Sequence, residues 1–301
     1  MAAPGVTPPD VTPSRPRIDL LAWLERISRH ILLAWGAKSL MLPTESGAVH
    51  AYSLAGRGEG TFVLIHGLGA NASGWTTLAG KLRGVARRIV LLELPGHGRS
   101  APPPEGTRLM DLASSVTTAL DMLIDERDGA VVLGNSLGGA TALRYALARP
   151  ERVRGLILNS PAGAPLDEHE VEALRERFGI KNRLDARRFL GQLMHRPPLY
   201  YRALENGLVA ELGRPLVQGF LHSVCPEDFF TAVELATLAV PTVVLWGKSD
   251  QVLPVSGLAF YRSALPSSTR FIELEGVGHS VHLERPGLVI KHLLEARDRV
   301  V

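Results

Sequence analysis

The chain of 301 residues has a single cysteine, Cys225, and no CxxC pair or cysteine–histidine cluster. An internal disulfide is thereby excluded, a structural zinc site lacks its ligand set, and a reducing compartment fits. No apolar run reaches bilayer length, and no opening segment follows the charged, apolar, small-residue order of a signal peptide. Self-similarity of the kind that builds solenoids or propellers is missing as well. So is a basic block. The net charge of +3 comes from scattered arginines, and short runs such as 83–88 and 187–188 sit inside amphipathic patterns. Solvated faces account for them, and no nucleic-acid partner is expected.

What is present is ordinary for a globular protein: 46% hydrophobic and 21% charged residues, on a length that suits one large domain with an insertion. Residues 1–17, rich in proline and threonine, read as a disordered tail. Residues 18–36 predict an amphipathic helix with Ile18, Leu21, Leu24, Ile27, Ile31 and Leu32 on one face. Asp19, Glu25, Arg26, Arg29 and His30 interrupt it as a membrane span. Trp23 and Trp35 beside basic residues fit an interfacial helix. Packing on the protein's own surface is the simpler expectation, with peripheral membrane contact through residues 18–35 as the other.

Further along, short apolar runs alternate with helical stretches. Lys38–Leu42 and Ala48–Ala55 predict an opening antiparallel pair. Thr61–His66, Arg88–Leu94, Ala130–Gly134, Val153–Asn159, Pro241–Trp246 and Arg270–Leu274 lack alternation, as strands buried on both faces do. Helical patterns at Trp75–Leu82, Leu109–Ile124, Gly139–Ala148, Pro254–Ala264 and Pro286–Arg297 occupy the crossovers. The expected fold class is therefore α/β, a mostly parallel sheet with helices on both faces. Residues 37–163 and 237–301 form its core. Residues 164–236 contain no strand pattern, only proline-broken helical segments such as Glu168–Phe178, Asp185–His195 and Leu199–Leu212. They predict a helical cap over the strand ends, where such sheets bind ligands.

The chemistry starts at Gly134-Asn135-Ser136-Leu137-Gly138, directly after an apolar strand and directly before a helix. A glycine-flanked serine at such a turn is held in a strained conformation that exposes its hydroxyl at a helix N-terminus. A hydroxyl needs a base. His279, in a glycine-rich loop after the final strand, supplies one; His282 is its nearest rival, and His66 and His97 are assigned structural roles. Asp250, after the penultimate strand, would orient the imidazole and offset its charge. Backbone N–H groups of Leu68 and Leu137 would bind the developing oxyanion. Asn135, Phe189, Leu193, Met194, Phe220 and Phe229 are the candidate pocket residues, and the five from the cap supply apolar and aromatic surface for a hydrophobic acyl or alcohol group.

HGLG at 66–69, LPGHGRS at 94–100, GNSLGG at 134–139, WGKSDQVLP at 246–254 and GVGHSVHLERP at 276–286 together resemble the α/β-hydrolase superfamily, in its order and over most of the chain. The resemblance implies an eight-stranded sheet with a cap, hydrolysis through Ser136, His279 and Asp250, and no cofactor. Glu93 stands where an aspartate is usual. GNSLGG is also similar to capped carbon–carbon hydrolases of meta-cleavage products, and the N-terminal helix to monoacylglycerol lipase-like members. Leu68 and Ser280 depart from the meta-cleavage pattern of extra glycine and an aromatic, which turns the expectation to a carboxylic ester as the small-molecule substrate. Carbon–carbon cleavage, perhydrolase or thioesterase activity, and a ligand-binding fold without turnover are the alternatives.

Overall fold

The computed structural model describes residues 19–298, so the predicted tail lies outside the described residues. Its centre is one eight-stranded sheet. The strands are β1 (Lys38–Leu42), β2 (Val49–Ala55), β3 (Thr61–Ile65), β4 (Arg88–Leu92), β5 (Ala130–Asn135), β6 (Val153–Asn159), β7 (Thr242–Gly247) and β8 (Arg270–Leu274). They are ordered β1-β2-β4-β3-β5-β6-β7-β8. β2 runs antiparallel to β1 and β4; every other pairing is parallel. The continuous apolar runs have their expected cause: β3, β5 and β7 are buried along their whole lengths.

Alternate residues of each strand feed a core on either face of the sheet. Val63, Ile65, Val90 and Val132 join one cluster; Phe62, Leu64, Ile89 and Val131 join the other. Around the sheet lie α1 (Leu20–Ala34), α2 (Thr76–Leu82), α3 (Leu109–Leu123) and α4 (Leu137–Ala148), and at the C-terminal end α10 (Val255–Ala264), α11 (Val281–Glu284) and α12 (Pro286–Asp298). No helix among the described residues is long and apolar enough to cross a membrane.

Between β6 and β7 the chain leaves the sheet through α5 (Glu168–Phe178), α6 (Arg183–Leu193), α7 (Glu205–Leu212), α8 (Pro215–Ser223) and α9 (Ala232–Ala236). Two boundaries differ from the sequence expectation. α6 starts at Arg183 because Asn182 caps it, its side-chain oxygen accepting from the amides of Leu184 and Asp185. The helix expected over 199–212 is a 3₁₀ turn, Leu199–Leu204, followed by α7.

Helix α1 corrects the sequence expectation in another way. The predicted single face is split: Leu32 is fully buried, whereas Leu24 and Ile31 are exposed together with Trp23. The face that packs inward contains Leu21, Glu25, Ser28 and Leu32, at helical spacings of four, three and four. Glu25 belongs to it because Asn71 donates to its carboxylate at 2.7 Å.

Candidate active site

Ser136 lies between the last residue of β5 and the first of α4, with φ 53° and ψ −120°. Left-handed backbone at a residue bearing a side chain is strained and persists only when its surroundings hold it. Here they do: the Ser136 amide donates to the Asn159 carbonyl at 3.0 Å, and its own carbonyl accepts from Ala140 and Ala162. The flanking glycines are obligatory. A Cβ on Gly134 would stand 2.2 Å from the Gly138 carbonyl oxygen, and one on Gly138 2.3 Å from that of His66.

His279 follows β8 and Asp250 follows β7. The imidazole Nδ1 is 2.8 Å from Asp250 Oδ2, with both side chains almost fully buried. Asp250 Oδ1 also accepts from the amides of Val252 and Leu253. Burial pushes the Asp250 carboxyl upward, but the neighbouring His279 and these donors outweigh it and hold the group below the usual carboxylate range. Residue 250 is therefore an anion that fixes the Nδ1–H tautomer and leaves Nε2 as the basic nitrogen.

The loops are tied to one another. Ser280 N–H donates to the Leu193 carbonyl at the end of α6, and Gln251 N–H to that of Gln192. Glu284 accepts from the amides of Gly278 and His195 at 2.7 and 3.1 Å. The Asn135 side chain donates to the Asn159 carbonyl at 3.1 Å and more weakly to that of His279 at 3.4 Å. Asn135 thus links the serine turn to the histidine loop.

Leu137 opens α4, so its amide has no intrahelical acceptor. Leu68 lies in the loop after β3, and two buried histidines hold that loop. His66 Nε2 accepts from the Leu94 amide at 3.1 Å, and His97 Nε2 accepts from the Gly69 amide at 3.0 Å. Their Nδ1 atoms face the carbonyls of Gly67 and Pro95. Both rings are neutral, burial pushing each down to about 4. Structure, not proton transfer, uses them.

Ser136 and His279 line the same cavity, of about 200 Å³. Leu68, Asn135, Phe189 and Leu193 line it too, along with Phe178, Leu204, Leu208 and Leu212. Its polar lining also includes Glu25 of α1, Asn71, Ser73 and His282. There is no lysine or arginine among the lining residues. Three expected pocket residues lie elsewhere. Met194 is buried beside the Gly278 backbone, Phe220 stacks on His97 with parallel rings 6.3 Å apart, and Phe229 lines a second, smaller cavity behind Leu137. Each was chosen for being apolar inside the insertion, and in these cases apolarity serves packing against the core.

The sequence missed Glu25 and Trp75, and treated His282 only as a rival base. Asn159 donates to His282 Nδ1 at 3.2 Å, and the ring packs 4.2 Å from that of Trp75. Burial first, then the neighbouring His279, depress it to about 3. It is a neutral lining residue. No group of three or more His, Cys, Asp or Glu side chains suited to a metal ion occurs among the described residues.

Comparison with known proteins agrees with this architecture. The chain is similar to the dihydrolipoyllysine-residue acetyltransferase component of an acetoin cleaving system from Cupriavidus necator, 29% identical over 80% of this chain and 66% of that protein. It therefore spans just under two thirds of that relative. A 2-hydroxy-6-oxononadienedioate/2-hydroxy-6-oxononatrienedioate hydrolase from a Pseudomonas species is 28% identical over 70% of this chain and 78% of its own. Among solved structures, a bacterial membrane phospholipase A superposes with a TM-score of 0.77 at 26% identity, covering 93% of this chain and 91% of that one. The model of the alpha/beta hydrolase family matches residues 62–292, a stretch that runs from β3 to α12 and contains the serine turn and both loops. The chain belongs to the alpha/beta hydrolase family.

Proposed function

We propose that the protein is a serine hydrolase that cleaves neutral carboxylic esters with a hydrophobic acyl group through an acyl-enzyme on Ser136. In the first step His279 Nε2 takes the Ser136 proton as Oγ bonds to the ester carbonyl carbon. The carbonyl oxygen becomes an oxyanion, held by the Leu68 and Leu137 amides. Two such donors contribute about 3–4 kcal/mol each to the transition state. The carbon–oxygen bond to the alcohol then breaks, and the imidazolium returns its proton to the departing alkoxide. Water repeats the sequence: His279 deprotonates it, it attacks the acyl carbon, and the acid leaves as Ser136 regains its proton. Asp250 remains ionised and offsets the positive imidazole. The helical segment between β6 and β7 acts as the cap, supplying Phe178, Phe189, Leu193, Leu208 and Leu212 as the acyl wall.

The observation that carries this reading is the composition of the cavity. Ser136 and His279 open onto a space with an apolar wall and, among the described residues, no cationic side chain. A substrate carboxylate entering it would be desolvated beside Glu25 with no guanidinium or ammonium to pair it. A neutral ester meets no such cost. Carbon–carbon hydrolysis is the second reading, favoured by the relative named for a nonadienedioate. The same assay separates the two. p-Nitrophenyl esters of increasing chain length should be turned over by the intact protein and not by Ser136→Ala. Turnover of a dienedioate with no ester hydrolysis would select the second reading, and ester hydrolysis retained by Ser136→Ala would end the first.

A further inference from the structure

His279 lies in a loop with little stiffness of its own. Glycines at 276 and 278 precede it, and Gly276 has φ +63°. Gly278 is buried, so its amide needs an acceptor. Glu284 provides one. It is the last residue of α11, and its carboxylate folds back along that helix to take the Gly278 N–H at 2.7 Å. The other oxygen takes the His195 N–H at 3.1 Å. One side chain thus joins the residue before the base to the segment that follows α6.

The same segment holds the other neighbours of the pair. Ser280, the residue after His279, donates its N–H to the Leu193 carbonyl at 3.2 Å, and Gln251, the residue after Asp250, donates to that of Gln192 at 3.3 Å. Ser249, the residue before Asp250, has its Oγ 2.8 Å from His195 Nδ1. The backbones are in contact: a Cβ on Gly278 would lie 2.7 Å from the Leu193 carbonyl oxygen and 2.9 Å from the His195 nitrogen. Each neighbour of His279 and of Asp250 is therefore tied to residues 192–195, and only Gly278 is tied through an intermediary. That intermediary is a carboxylate, the stronger kind of acceptor for an amide.

We propose that Glu284 is a positioning residue for His279: its bridge from Gly278 to His195 seats the base loop on the end of α6 and holds the imidazole where it can reach Ser136. The inference rests on the reading of His279 as the base. The base is then set from the insertion as well as from the sheet. Displacement of residues 192–195 would remove partners of Glu284, Ser249, Gln251 and Ser280 together.

The experiment compares the full chain with Glu284→Gln and Glu284→Ala, using circular dichroism and thermal melting as folding controls. A side chain that served stability alone would lower Tm and leave the kinetics of the folded protein unchanged. Positioning predicts that kcat of Glu284→Ala on p-nitrophenyl esters falls by about tenfold to a hundredfold with KM within about twofold, since a misplacement of about 1 Å can cost about 10²-fold. Fluorophosphonate labelling of Ser136 should slow by a similar factor. Glu284→Gln, whose single carbonyl oxygen can accept from only one of the two amides, should fall between, and it decides the question if the alanine variant does not fold. The far-downfield Nδ1 proton of the His279–Asp250 hydrogen bond, read by NMR without substrate, should shift or broaden in both variants. That signal tests the proposal even if the intact protein hydrolyses no ester, an outcome that would count against the ester reading alone. Labelling and ester kinetics equal to the intact protein in a folded Glu284→Ala, or an Nδ1 proton that stays unmoved in it, overturn the proposal.

Discussion

The histidines around the cavity make the fold sensitive to acid in a way that can be worked out. His66 and His97 are pushed to about 4 and His282 to about 3, in each case mainly by burial. An unfolded histidine titrates near 6.5. Their folded values are depressed, so below pH 6.5 the unfolded chain binds protons that the folded one refuses, and stability falls as pH falls. At pH 5 each contributes a loss of about 2 kcal/mol. The folded state holds almost no proton on any of them there, so the losses add to about 6 kcal/mol. Against a folding free energy of about 5–15 kcal/mol this is large. For a chain of this size it corresponds to a drop of about 10 °C in Tm between pH 7 and pH 5. Glu25, whose carboxyl is raised by burial, acts in the opposite direction, chiefly nearer its own range. Scanning calorimetry at the two pH values measures the sum. His282→Gln should recover about 2 kcal/mol of the acid loss, or about 3 °C, because one refused proton is gone. A Tm that is flat from pH 7 to pH 5, or an acid slope unchanged in His282→Gln, would refute the reasoning.

Two more outcomes follow from the geometry. Asp250→Asn keeps the shape but loses the anion that fixes the His279 tautomer, so kcat on p-nitrophenyl esters should fall about 10³–10⁴-fold with KM nearly unchanged; a loss under tenfold would remove Asp250 from the mechanism. Gly98→Ala should destabilise by about 2–4 kcal/mol in denaturant titration. A Cβ there lies 2.2 Å from the Glu93 carboxyl carbon, at φ +54°, and Glu93 joins His50, Ala72 and Arg99 through its two oxygens. An unchanged midpoint would mean that this knot yields at little cost.

Glu93 also shows why parts of the fold were legible and others were not. The uninterrupted apolar runs at β3, β5 and β7 announced a buried parallel sheet because burial on both faces leaves no place for polar residues. Ser136 was legible because a sharp strand-to-helix turn admits only glycine at 134 and 138, and that constraint is local. His279 and Asp250 could be chosen because each immediately follows a strand of that sheet. Glu93, by contrast, was recognised only as a departure from aspartate. Its work is to accept from partners 43, 21 and 6 residues away, and no spacing in the chain encodes such pairings. The pocket failed for the same reason. Phe189, which lines the cavity, and Phe220, which stacks on His97, have the same chemistry and lie in helices of the same insertion. Only the three-dimensional path separates them.

Helix α1 is the instructive case, since its periodicity was read correctly and still misassigned. Leu21, Leu24, Ile27, Ile31 and Leu32 do fall within one broad arc, and a single apolar arc normally means a single buried face. The structure divides the arc because a second, narrower stripe, Leu21-Glu25-Ser28-Leu32, satisfies the packing with only two large apolar groups and one carboxylate bonded to Asn71. A half-buried glutamate is retained at a cost in desolvation, as the upward shift of the Glu25 carboxyl records. An apolar residue at position 25 would pack the helix at lower cost, yet it would remove the one acid among the described residues that line the cavity. The carboxylate has an explanation if the inner side of α1 shapes the substrate cavity, which Leu21 and Glu25 line. Glu25→Leu tests that role: it should stabilise the fold while changing which ester alcohols are accepted. An unchanged preference across a panel of ester alcohols would show that Glu25 does not act on the substrate.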